Sequence, residues 1–97
     1  MKTKLNTVAT EVMGKLGVPL PTNFDPDHNP EHLLEAMGAV NINVFFLDRN
    51  AFAIPGEDLG GDEFETSVPI EAGPNAKSTA MKLAIYRVLE RVNSSLD

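Results

Sequence analysis

The chain has 97 residues, no cysteine and a formal net charge of −6 at pH 7, and 42% of its residues are hydrophobic. This length and apolar fraction predict one globular domain with a thin core and leave no room for a second domain. Without cysteine, disulfides, thiol catalysis and cysteine-based zinc sites are excluded; the acidic balance disfavours nucleic-acid binding, which requires surplus cations.

The sequence carries no apolar run of about 18 residues, which a membrane-spanning helix requires. Its first residues, Met1–Lys4, pass directly into an amphipathic pattern and lack the continuous apolar core of a signal peptide. Small secreted domains often depend on disulfides, so the lack of cysteine favours a reducing compartment. We therefore expect a cytoplasmic protein that does not contact a membrane.

The first predicted element is an amphipathic helix over residues 4–16. Its apolar positions share one face at helical spacing and are Leu5, Val8, Ala9, Val12, Met13 and Leu16. Gly17 suits the left-handed position after a helix, and the prolines that follow prevent its continuation. Residues 17–29 are predicted to form an extended connector.

A second helix is predicted over residues 30–37. The segment Asn29–Glu31 combines a capping side chain, a proline at the first helical position and an acid in the first turn. The short apolar face of this helix is followed by Gly38, which predicts its end.

Three antiparallel strands are predicted over residues 40–47, 51–54 and 64–70. The turn at Asp48–Asn50 closes a hairpin between the first two strands. The first strand becomes apolar on both faces toward its end, which predicts that helices cover both faces of the sheet. Pro69 cannot donate to a strand ladder, so the third strand is expected at a sheet edge.

The last predicted element is a long helix over residues 75–93. Its buried stripe is expected to consist of Met81, Ala84, Ile85, Val88, Leu89 and Val92. The order helix, helix, three strands, helix predicts an α+β fold arranged as a small α/β/α sandwich.

An acidic run precedes the last helix. Six acids and no base lie between Glu57 and Glu71. This run is either a solubilising surface or a docking surface that mimics a polyanion or receives a basic partner. In the second case the partner-binding residues are Glu57, Asp58, Asp62, Glu63 and Glu65.

The start of the last helix is a candidate site for a small anion, because free amides and the helix dipole favour negative charge there. The segment Lys77–Thr79 resembles part of a Walker A loop, but Ala76 and Glu71 stand where that motif requires glycine. The alternative is an ordinary solvated helix start, with the arginines paired to nearby acids. The candidate anion-binding residues are Lys77, Ser78, Arg87 and Arg91.

Metal and catalytic motifs are incomplete in this sequence. Asp25–Glu31 places oxygen side chains at alternate positions, but Pro30 and Ala36 stand where a calcium loop requires glycine and glutamate. The segment is therefore interpreted as turn and cap chemistry. His28 and His32 lack the glutamate of the zinc-protease motif, and no serine stands in a nucleophile motif. We expect a protein that is not an enzyme and has no metal or cofactor.

Leu5–Gly14 resembles the opening helix of the phage ABA-sandwich domain family, in which an L-N-x-x-V-A-x-x-V-M-G-like pattern is typical. Asn29–Met37 is similar to the capped second helix of that family, and Ala76–Leu89 to its closing alanine-rich helix. Lys15 stands where the family commonly has tryptophan, and the aromatic residue of the second helix is missing. The resemblance implies a phage accessory protein with an α/β/α fold and no transferable catalytic residues.

We therefore expect a phage- or prophage-encoded, non-catalytic binding protein that acts in the bacterial cytoplasm, for example in counter-defence. It would engage a host protein through the acidic residues, or sequester a small nucleotide-like anion between subunits of a homo-oligomer. The alternative is a small structural or assembly component of the virion, which would be stoichiometric in purified particles.

Overall fold

The computed structural model describes residues 3–97, which form three α-helices and one three-stranded sheet. In chain order the elements are α1 (Lys4–Lys15), α2 (Pro30–Val40), β1 (Asn43–Leu47), β2 (Asn50–Ile54), β3 (Thr66–Pro69) and α3 (Ala76–Ser95). The α+β class and the predicted order of elements are confirmed. Met1 and Lys2, on which the signal-peptide interpretation partly rested, lie outside the described residues.

Side chains cap the first two helices. The Asn6 amide donates to Thr3 Oγ1 at 3.1 Å at the start of α1. At the start of α2, the Glu31 amide donates to Asn29 Oδ1 at 3.0 Å, as the sequence predicted. Each cap satisfies an amide that has no partner within the first turn of its helix.

Helix α2 continues past Gly38, where the sequence predicted its end. Val40 is fully buried, so the core favours a further half turn. Asn41 then adopts the left-handed conformation with a φ of 54°. The Ile42 amide donates to the Met37 carbonyl at 2.9 Å, which is the hydrogen bond of a Schellman motif. Because these residues close the helix, β1 begins at residue 43 rather than 40.

The sheet is antiparallel with the strand order β1-β2-β3. The turn at Asp48–Arg49 connects β1 to β2, with both residues at positive φ, 50° and 63°. This is the backbone of a type I′ turn, whose twist matches that of the strands. Phe45 pairs with Phe52 in the resulting register. The turn is thus two residues long, and β2 begins at Asn50.

Helix α3 is the central element of the domain, since it packs against β2, β3 and α1. The sheet face toward α3 carries Ala51, Ala53 and Val68, all buried. The predicted stripe of α3 is buried except for Met81, which is half-buried. All three helices and the sheet contribute residues to one hydrophobic core.

The two faces of the sheet are covered unequally. Helix α1 packs on α3 rather than on the second face of the sheet. That second face carries Phe45 and Leu47, which are 42% and 56% exposed, together with the half-buried Phe52. The end of β1 was expected to be buried on both faces, whereas Phe46 and Leu47 are 46% and 56% exposed.

No helix between residues 3 and 97 combines the length and the apolar character that crossing a membrane requires.

Candidate functional site

The acidic segment, Glu57–Glu65, folds into two short 3₁₀ helices between β2 and β3. The first covers Glu57–Leu59 and the second Gly61–Phe64. Their amides donate back along the chain, for example Leu59 to Gly56 at 2.9 Å and Glu63 to Gly60 at 3.2 Å. Most backbone donors of the segment are thus satisfied locally, and the acidic run has a defined structure.

Gly60 makes the junction between the two 3₁₀ helices possible. Its φ is 118°, a conformation that residues with a side chain rarely adopt. A Cβ at this position would lie 2.1 Å from Cδ2 of Phe64. The Phe64 ring, which packs against the core, therefore occupies space that only glycine leaves free. The packing of Phe64 against the core anchors the acidic segment to the rest of the domain.

The candidate acids of this segment all point to solvent: Glu57, Asp58, Asp62, Glu63 and Glu65 are exposed. None of them forms an ion pair with a base among residues 3–97. The closest cationic contact is from Arg91, whose Nη1 donates to the Glu63 backbone carbonyl at 3.4 Å. The carboxylates are therefore presented on a fixed backbone, free of intramolecular charge partners in the described chain.

The candidate anion-binding residues are not brought together. Lys77 Nζ lies 5.9 Å from the centre of the Phe46 ring, a cation–π contact near the end of β1. Arg87 lies ten positions later, about 15 Å along the helix, and lines a depression between α3 and β3. Arg91 lies beside the acidic segment. The cations line separate surface depressions.

The start of α3 carries no side-chain cap. Asn75 adopts the left-handed conformation with a φ of 62°, and its side chain accepts no hydrogen bond from the helix. Ser78 is exposed in the first turn. Neither Arg87 nor Arg91 forms an ion pair among residues 3–97, so the alternative in which they pair with nearby acids is not observed there.

A polar network that the sequence did not reveal joins the connector to α1. Asn6 is 6% exposed, and its Nδ2 donates to Asp25 Oδ1 at 2.7 Å. Its Oδ1 accepts from the Asp27 amide at 2.9 Å. His32 Nδ1 accepts from the Asp25 amide at 2.9 Å. Asn6 lies on the apolar stripe of α1, and only that placement could have indicated a buried role.

The same network reaches α3 through Lys82, whose Nζ lies 3.6 Å from Asp27 Oδ1 and donates to the Asp27 carbonyl. The hydrogen bond from Asn6 is the main cause that lowers the pKa of Asp25; desolvation opposes it, and contacts with His28 support it. The sequence indicated turn and cap chemistry for this segment. The structure adds a second role, because Asp25 and Asp27 also connect α1, α2 and α3 through their polar contacts.

No group of three or more histidine and acidic side chains within residues 3–97 converges as metal ligands. His28 Nδ1 contacts Asp25 at 3.2 Å, and His32 tilts against Phe24 with ring centres 5.6 Å apart. Both histidines thus have structural partners in the connector.

Three phenylalanine side chains, Phe45, Phe46 and Phe52, lie outside the hydrophobic core. Phe45 and Phe52 stack on the open sheet face with ring centres 4.9 Å apart and planes within 4° of parallel. Phe46 is 46% exposed beside Lys77. The open sheet face is therefore an apolar surface with an ordered aromatic pair at its centre.

Comparison with protein-family models, with curated proteins and with solved structures finds no match to this chain.

Proposed function

We propose that the protein is a non-catalytic binding protein whose acidic segment docks on a basic surface of a protein partner. The observation that supports this proposal is the exposure of all five candidate acids on a fixed backbone, without ion pairs in the described chain. Carboxylates without internal partners are available to arginine and lysine side chains of a second protein.

The local structure of the segment favours binding in two ways. Because Glu57–Leu59 and Gly61–Phe64 are already ordered, less conformational entropy is lost when a partner orders the side chains. The net charge of −6 adds long-range attraction for a basic partner, which accelerates association more than it strengthens the final complex.

A protein partner fits the charge distribution better than a small anion. Lys77 and Arg87 lie too far apart to contact one phosphate group, and Arg91 adjoins exposed acids. A chain with a surplus of acids also repels an approaching anion over several ångströms. The sequestration of a nucleotide-like ligand is therefore the less favoured form of the proposal.

The biological setting of the proposal comes from the resemblance to phage ABA-sandwich domains over Leu5–Gly14, Asn29–Met37 and Ala76–Leu89. In that setting the partner is a basic host protein in the bacterial cytoplasm, and binding serves the phage, for example in counter-defence. The virion-component alternative would place the protein in purified particles at fixed stoichiometry.

The test uses two variants with the same change in net charge. The first carries Asp58→Asn, Asp62→Asn and Glu63→Gln within the acidic segment. The matched control carries Glu35→Gln, Asp48→Asn and Glu71→Gln, whose side chains are also exposed. Proteins that bind the wild type are recovered from host lysate, and each is purified for kinetic measurements.

We expect the recovered partner to associate at least about tenfold more slowly with the first variant, and close to the wild-type rate with the control. The dependence of the association rate on ionic strength should also flatten in the first variant alone. Equal rates for the two variants would show that the acidic segment does not form the binding surface.

A further inference from the structure

Strand β1 is an edge of the sheet, and some of its backbone groups have no partner among residues 3–97. The two-residue turn makes Leu47 and Asn50 a hydrogen-bonded pair, and such pairs alternate along an antiparallel ladder. Phe45 and Asn43 therefore also direct their backbone groups to β2. The amides and carbonyls of the two residues between them, Val44 and Phe46, point away from the sheet.

The side chains of β1 do not protect this edge. Edge strands usually carry charged residues or proline, which discourage pairing with another chain. Strand β3 follows this rule, since it ends at Pro69 and is preceded by Glu65. The sequence Asn43–Leu47 contains no charge and no proline, and four of its five side chains are exposed.

We propose that β1 pairs antiparallel with β1 of a second copy of this chain, with the two-fold axis at Phe45. In this register Val44 lies opposite Phe46 of the second copy, and Phe46 opposite Val44. Each of these pairs exchanges two backbone hydrogen bonds, so the outward groups of both strands are satisfied. The result is one continuous six-stranded sheet built from two three-stranded ones.

A second copy fits this edge better than an unrelated strand. The outward groups of β1 are symmetric about Phe45, so the strand is complementary to itself. Phe45 meets Phe45 of the other copy in a close, non-hydrogen-bonded pair, which extends the existing stack with Phe52 across the open sheet face. Asp48 would face Ile42 of the other copy, so no like charges meet across the new ladder.

The size of the contact sets its strength. Each copy contributes the five residues of β1, whereas a stable interface uses about 20–30 residues a side. We therefore expect a weak dimer whose population rises with concentration. Since each copy carries a charge of −6, added salt should strengthen the dimer by screening repulsion. This inference goes beyond the proposed function and does not depend on it.

The first experiment is sedimentation equilibrium of the wild-type protein from ~10 µM to ~1 mM. We expect a reversible monomer–dimer equilibrium. A protein that remains monomeric up to the highest concentration would overturn the proposal.

The second experiment separates backbone pairing from side-chain contact at one position. Phe46→Pro removes an outward amide that β2 does not use, so the monomer should keep its fold, as a thermal melt would verify. It should weaken dimerisation by about tenfold or more, because the two-fold axis removes the donor twice. Phe46→Ala keeps the amide, and its dimer constant should stay within about threefold of wild type. Equal dimerisation by the two variants would contradict pairing through the β1 backbone.

The third experiment tests the register, using a chain that has no cysteine of its own. Phe45→Cys places two thiols directly opposite each other at a separation suited to a disulfide. Ser67→Cys places an exposed thiol on the opposite edge strand as the control. Under mild oxidation, Phe45→Cys should cross-link at least about tenfold faster than Ser67→Cys. Equal rates in a protein that dimerises would exclude the proposed axis at Phe45.

Discussion

Strand β1 and the acidic segment are both exposed, yet they differ in charge and in the state of their backbone. Strand β1 is uncharged and apolar, and the register leaves the backbone groups of Val44 and Phe46 without partners in the sheet. The acidic segment carries five exposed carboxylates, while most of its own amides are engaged in 3₁₀ turns. Exposure alone therefore does not define a binding surface; the free groups decide what it can bind.

This difference separates two kinds of association. An uncharged edge with free amides and carbonyls is suited to pair with another strand. A segment whose amides bond locally and whose carboxylates are exposed is suited to attract cations. The negative charge of these carboxylates repels the same segment of a second copy. The two proposals, self-association at β1 and binding of a basic partner at the acidic segment, therefore use different surfaces of the molecule.

The largest expected effect comes from Gly60→Ala, which breaks the acidic segment. The new Cβ would clash with the Phe64 ring and sit at a φ of 118°. We expect a loss of about 3 kcal/mol or more in the free energy of unfolding, measured with urea. Gly73→Ala is the control, since Gly73 has a φ of 129° but open space around it. It should cost about 1–2 kcal/mol from backbone strain alone. Equal losses would mean that the Phe64 contact does not hold the segment.

The next effect concerns the hairpin that positions β1. Arg49 adopts a φ of 63°, which strains a residue with a side chain. Arg49→Gly should raise the free energy of unfolding by about 0.5–1 kcal/mol, because relief of strain exceeds the entropy cost of glycine. Arg49→Ala removes the same charge and keeps the strain, so it should remain within about 0.5 kcal/mol of wild type. A gain of equal size in both variants would assign the effect to charge instead.

Salt sharpens the comparison with a smaller effect of opposite sign at the two surfaces. Raising NaCl from about 50 mM to about 500 mM shortens the screening length severalfold. The β1 dimer should then strengthen by a few fold, while binding of a basic partner to the acidic segment should weaken. Sedimentation and binding titrations in the same buffers would measure both. A dimer that weakens with salt would argue against an uncharged interface.

The smallest effect is a pH dependence that belongs to neither surface. The hydrogen bond from Asn6 lowers the pKa of Asp25 in the folded protein. Its contribution to stability is thus complete above the unfolded pKa of about 3.9 and is lost as the pH falls through the lower folded value. Asp25→Asn should reduce the loss of stability on acidification below that pH, measured by thermal melts. Asp58→Asn, in the exposed acidic segment, is the reference, and an identical pH profile for both variants would contradict the role of Asp25.

The helices were largely predictable because their signals are local. The cap at Asn29, the apolar stripe of α1 and that of α3 depend on residues within a few turns of one another. The end of α2 was wrong because Gly38 was taken as a stop, whereas burial of Val40 carries the helix on to Asn41. The predicted strand boundaries differ from the observed ones by up to three residues, because pairing with a neighbouring strand decides where a strand begins.

The candidate site was predictable in composition and less so in arrangement. The five acids were named from sequence, but their 3₁₀ backbone depends on Gly60 fitting against Phe64. The anion-site candidates came from one helix, and helical rise alone separates Lys77 from Arg87 by about 15 Å. The network of Asn6, Asp25 and Lys82 joins residues far apart in sequence, so no local pattern could reveal it.

By itself, the sequence determined the α+β class, the order of elements, the acidic surface and the exclusion of disulfides, because each follows from composition or short-range periodicity. Only the tertiary structure decided which sheet face is covered. A period-two pattern indicates that a face is apolar, but it does not indicate whether another element reaches that face. Helix α1 finds its apolar partner on α3, and this packing leaves Phe45, Phe52 and the β1 edge open.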